Sequence, residues 1–117
     1  MTPEDLKRRT KQFALRVVKL VQSLPNDRIA TTLGHQLLRS DTSVGANYRA
    51  ACRARSDAEF RAKLGIVEEE GDESAYWMEL LIDSGFVPVH LLQDLLQEAN
   101  ELVAIVVASI NTSKQKN

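Results

Sequence analysis

At 117 residues, 44% of them hydrophobic and 26% charged, the chain has material for one soluble globular domain with a single core and not for two. Five Gly and three Pro leave little for turns and favour helices. No apolar run approaches the roughly 18 residues of a membrane span. The start "MTPEDLKRRTK" lacks the apolar centre of a signal peptide, and Cys52 as sole cysteine permits no internal disulfide, so a cytoplasmic protein with no membrane partner is expected.

The net charge of -1 hides a split: residues 1–56 carry 11 Lys/Arg against 4 Asp/Glu, residues 57–83 carry 2 against 9, and residues 84–117 carry 2 against 3. Such segments either screen each other, within or between subunits, or leave a basic face for nucleic acid, against which a pI of 6.1 argues.

The first helix opens at "TPED", with Thr2 as N-cap, Pro3 at the first helical position and two acids in the first turn, and should run to about Leu24. Its apolar stripe is Leu6, Phe13, Val17, Leu20, Val21 and Leu24. Pro25-Asn26-Asp27 breaks the chain, and a second helix from Asp27 or Arg28 to about Arg55 places Ile29, Leu33, Leu37, Val44, Tyr48 and Cys52 on one side. "SDTSVG" in its middle is a poor helix former and predicts a bend or irregularity, because its short polar side chains compete for backbone hydrogen bonds.

"SDAE" at 56–59 reads as a capping box that starts a third helix. From it run Phe60, Leu64, Val67, Gly71, Ser74, Met78 and Leu81 at alternating intervals of four and three, a heptad seam whose small members invite close approach or a large side chain from across. Gly85 in "DSGF" is placed for a left-handed C-terminal cap, with Phe86 folding back on the last turn.

Pro88 opens a fourth helix carrying Leu91, Leu92, Leu95, Leu96, Leu102, Val103, Val106 and Ile110. Its stretch "LVAIVVASI" is apolar on nearly every face, which points to burial against another subunit. Residues 113–117 are expected to fray. Four helices joined by short connections predict an all-α, antiparallel up-down-up-down four-helix bundle as one domain.

His35 and His90 have no Cys or second His at ligand spacing. Glu69 and Glu73 share a helical face, but the Glu-x-x-His pairs of bundle di-iron sites are missing, so the acidic run reads as a solvated or salt-bridged face and no metal or cofactor is expected. Ser43, Ser56 and Cys52 lack a nearby histidine or a glycine elbow, and no phosphate or dinucleotide motif occurs, so no catalytic residues are expected. Cys52, on the face of Tyr48, reads as a small core residue.

Arg39, Ser43 and Asn47 fall at i, i+4 and i+8, with Tyr48 beside them. The amide of Asn47 needs a partner, which Arg39 or a third-helix carboxylate such as Asp72 or Glu73 would supply. That makes Arg39, Ser43, Asn47, Asp72 and Glu73 a structural polar joint; the competing reading is a ligand or phosphate site built from Arg39, Asn47, Arg53 and Arg55.

The stretch "LLRSDTSVGANYRAACRARSDAEFRAKLGIVEEEGDESAYWMELLIDSG", with "LVQSLP" before it, resembles the small proteins called 23S rRNA intervening-sequence proteins, over roughly residues 10 to 112. The landmarks are Arg39, Ser43, Asn47-Tyr48-Arg49, Arg53 to Arg55, Ser56 with Phe60, Asp72-Glu73 and Tyr76-Trp77. The resemblance implies a four-helix bundle that associates as a ring-shaped homopentamer. It also implies kinship with the accessory subunit of reverse transcriptases in diversity-generating retroelements, which contacts RNA and polymerase. Ala50 stands where such proteins usually carry Glu, and Gly71 where Ala is usual.

The expected function is a non-enzymatic, homo-oligomeric interaction or scaffold protein with itself as partner and a further protein unidentified. The alternative is an RNA- or DNA-binding accessory protein using Lys7, Arg8, Lys11, Arg16, Arg49, Arg53 and Arg55, a reading that the slight net acidity weakens.

Overall fold

The computed structural model describes residues 1–116 and contains four helices: α1 (Pro3–Gln22), α2 (Arg28–Cys52), α3 (Asp57–Asp83) and α4 (Val89–Gln115). They form an all-α bundle 49 Å long and about 20 Å across. Contacts run from α1 to α2, from α2 to α3 and from α3 to α4, with α1 and α4 closing the ring most loosely; the backbones of α1 and α3 lie diagonally across the bundle, no Cα atoms of the two within 8 Å.

Local chemistry fixes the ends. Thr2 Oγ1 accepts from Asp5 N (3.1 Å) and Asp5 Oδ2 from Thr2 N (3.0 Å), a reciprocal cap that holds the Asp5 carboxyl below its ordinary range. Asp27 Oδ1 accepts from Ile29 N and Ala30 N at the start of α2. At α3, Ser56 Oγ accepts from Glu59 N (3.1 Å), but Glu59 returns the bond to Arg55 N (3.1 Å) and not to Ser56, so the expected box is shifted by one residue on that side. Gly85 takes φ +83°, and Phe86 N and Val87 N both donate to Leu81 O, which ends α3 and turns Val87 into the core.

The heptad seam of α3 faces inward: Leu64, Val67, Gly71, Ser74, Met78 and Leu81 are buried and Phe60 is half-buried. They meet Phe13 and Val17 of α1, Leu37 and Val44 of α2, and Leu92, Leu102 and Val106 of α4 in one core. Each apolar side chain removed from water here contributes roughly 1.5–3 kcal/mol.

Three sequence expectations change. The "SDTSVG" stretch brings no irregularity into α2, which is one unbroken helix, because its hydroxyls bond the preceding turn: Ser40 Oγ donates to Leu37 O (3.2 Å) and Thr42 Oγ1 to Leu38 O (2.7 Å). Ile29 and Leu91 lie outside the core, on the surface at the start of α2 and α4. Residues 113–115 continue α4, with Ser113 buried and accepting from Arg61 Nη1 (3.1 Å). Asn117 lies outside the described residues.

Candidate functional site

Of the residues expected to form a polar joint, the fold brings together two separate groups. Arg39 Nη2 donates to Glu73, its Nη1 to Glu70 Oε2 (3.2 Å) and its Nε to Gln36 Oε1 (3.2 Å), linking α2 to α3. Trp77 Nε1 donates to the same Glu73 oxygen (3.4 Å). Asn47 is satisfied within its own helix, Nδ2 donating to Ser43 O (2.9 Å) and Ser43 Oγ (2.8 Å), and neither Arg39 nor the carboxylates of α3 serve its amide. Asp72 is exposed and joins no hydrogen bond or ion pair among the described residues, since its position on α3 points away from α2. At the α2–α3 contact the buried hydroxyls of Ser40 and Ser74 lie 3.0 Å apart, each also within reach of a carbonyl one turn back, so one hydroxyl donates to the other and the second to its own helix.

The basic residues gather around α1 and the C-terminal half of α2. Lys7, Arg8, Lys11 and Arg49 line a groove of about 490 Å³ whose floor is Thr10, Ala14 and Gly45. A Cβ on Gly45 would meet Thr10 Oγ1 at 3.3 Å, so this glycine lets α1 lie close against α2. Arg49 also borders a second recess of about 500 Å³ with Arg53, Arg55 and Lys63. Lys7 and Arg8 are partly neutralised by Glu4 (3.2 Å) and Asp5 (2.5 Å) one turn away, whereas Lys11, Arg49, Arg53 and Arg55 form no ion pair among the described residues. Arg16 is exposed but lines neither groove.

A third cleft, of about 740 Å³, opens where Thr2 to Glu4 of α1 approach Ser56 and Asp57 of α3. Cys52 is exposed in it, not in the core, because it is the last residue of α2 where the chain turns away. Tyr48 lies beside it with its phenol pushed above the ordinary range by burial, by Cys52 and by Glu4. His35 and His90 are exposed. Among the described residues no group of three His, Cys, Asp or Glu side chains is placed to hold a metal ion, and no helix is long and apolar enough to cross a membrane.

The sequence reading overlooked Asp41. It is fully buried on α2, and neither carboxylate oxygen has a hydrogen-bond partner among the described residues. Burial pushes its carboxyl up to about 7. Its signal was present in the pattern, since it stands four residues after Leu37 and three before Val44, on the buried stripe.

Comparison with curated proteins finds no match. Among solved structures, the chain is similar to a protein of unknown function from the S23 ribosomal protein family of Bacteroides thetaiotaomicron, with 33% identity over 95% of this chain and 99% of that one and a TM-score of 0.88. The family model for 23S rRNA-intervening sequence proteins matches residues 4–108, which span all three interhelical turns and most of α4. The chain belongs to the 23S rRNA-intervening sequence protein family.

Proposed function

We propose that this protein is a non-enzymatic interaction module that works as a homo-oligomer, a pentamer of identical bundles. One observation carries the reading. α4 buries Leu102 and Val106 in the core of its own protomer, yet Ala104 and Ala108 remain exposed and Ile105, Val107 and Ile110 only half covered. A helix apolar on both its inner and outer faces is the pattern of one covered by another chain. Sedimentation velocity over a dilution series tests it: a concentration-dependent species larger than the 13.1 kDa protomer supports self-association, and a monomer at every concentration refutes it.

A second reading, an accessory protein for RNA or DNA, is favoured by the run of Lys11, Arg49, Arg53 and Arg55 along two adjoining grooves without carboxylate partners. Its sign is an affinity for single- or double-stranded oligonucleotides that falls steeply with salt and is lost when these four residues are neutralised. Affinity that is absent at low salt removes this reading.

A further inference from the structure

A second seam runs along α3 opposite the one that faces the core. Ala58, Ala62 and Gly65, then Glu69, Asp72 and Tyr76, recur at the same intervals of four and three, followed by Glu79 and Asp83. All are exposed except Gly65, which is half-buried. Half of this seam is small and half acidic, and Tyr76 presents about half of its surface to solvent (53%).

Gly65 permits no close helix approach inside the protomer. The other three helical glycines each lie under a neighbouring segment: a Cβ on Gly34 would meet Leu24 of the α1–α2 connection at 2.8 Å, on Gly45 Thr10 of α1 at 3.3 Å, and on Gly71 Val103 of α4 at 2.7 Å. A Cβ on Gly65 would meet nothing within 4 Å. A glycine inside a helix costs stability, so one with open space above it is explained by something that approaches from outside.

The complementary surface is on α1. Arg8, Lys11, Leu15 and Lys19 share its outer face, and Leu15 is 48% exposed between two lysines. Neither Lys11 and Lys19 nor Glu69, Asp72 and Glu79 have an ion-pair partner among the described residues, and α1 and α3 lie diagonally across the bundle, with these two faces turned outward. We propose that the outer seam of α3 receives the outer face of α1 from a second copy of this chain, with Leu15 seated over Gly65 and a flanking lysine beside Glu69 and Asp72. The assignment rests on the self-association proposed above and adds a contact separate from the outer face of α4. A second copy matches the small half and the acidic half of the seam together, whereas a nucleic acid would answer only the basic strip. Because the two surfaces are different and lie on separate helices, the contact is head-to-tail and closes into a ring when the rotation permits.

The test uses the full chain. Glu69→Lys with Asp72→Lys, Lys11→Glu with Lys19→Glu, and Gly65→Leu each alter exposed or open positions, so each protomer should keep its helical circular dichroism. Each variant should weaken assembly by about a hundredfold or more, since like charges or excess bulk then face each other. The chain carrying both charge reversals should assemble again, and Gly65→Leu should melt higher as a monomer while failing to assemble. If wild-type protein is monomeric, the reading of self-association itself has failed. If wild-type protein is oligomeric and the reversals or Gly65→Leu leave it so, this interface is overturned while self-association stands; reversal of Lys11 and Lys19 that costs only RNA binding overturns it equally.

Discussion

Gly71 of α3 lies under Val103 of α4 so closely that a Cβ at this position would come within 2.7 Å of Val103 Cγ2. The branched valine has few rotamers in a helix and cannot turn aside freely. We predict that Gly71→Ala lowers stability by about 1 kcal/mol in spite of the helix propensity it adds, because the clash outweighs the gain. Thermal melts should show the loss relieved in Gly71→Ala with Val103→Ala. A stabilised single variant would mean that α3 and α4 do not approach as described.

That contact was readable in outline, since the heptad seam of α3 includes Gly71 as a small member and so predicted close approach or a large side chain from across. The helix starts at Pro3 and Asp57, the cap at Gly85 and the inward face of α3 were also legible, because each depends on residues within one turn of each other. Partners across the bundle were not. Asn47 turned to Ser43 and not to α3, and Arg39 chose Glu70 and Glu73 over Asp72, outcomes set by the rotation of two packed helices. The uninterrupted α2 shows hydroxyl groups bonding back along the helix where an irregularity was expected.

Asp41 makes stability depend on pH in a direction opposite to that of an ordinary salt-bridged carboxylate. Its carboxyl is raised from 3.8 to about 7 by burial, so the folded chain holds a proton that the unfolded chain releases. Its contribution is most favourable below pH about 4, falls as pH rises to about 7, and is level above that, a loss of order 4 kcal/mol. Asp41→Asn should therefore gain in melting temperature relative to wild type between pH 5 and pH 8, as about the scale of this linkage requires. A difference between the two proteins that does not change with pH would contradict the buried, unpartnered carboxyl.

Arg9 fastens the loosest joint of the bundle. Its Nε and Nη2 donate to both oxygens of Glu98 at 2.7 Å, and Nη2 also to Glu101 Oε1 at 2.9 Å, joining α1 to α4. Arg9→Met should cost about 1–2 kcal/mol, more than an exposed pair, because the fork is bidentate and partly buried. A double-mutant cycle with Glu98→Gln should show coupling that declines with salt; additive effects would mean that the two side chains do not act as a pair.

The polar joint on α2 predicts smaller effects. Arg39 is half exposed, so Arg39→Met should lower stability by less than about 1 kcal/mol. Asn47→Leu exchanges two bonds to Ser43 for a better helix former and should lower it by about 0.5–1 kcal/mol. Unchanged melting and oligomer size in Asn47→Leu would remove the structural role proposed for this residue.

The central claim is that the bundle works as an assembly of identical copies. Native mass spectrometry of gently purified protein at low salt tests it most directly. The expected result is a single species of about 66 kDa, five copies of the 13.1 kDa chain, with no nucleic acid attached. A 13.1 kDa monomer at every concentration would contradict it.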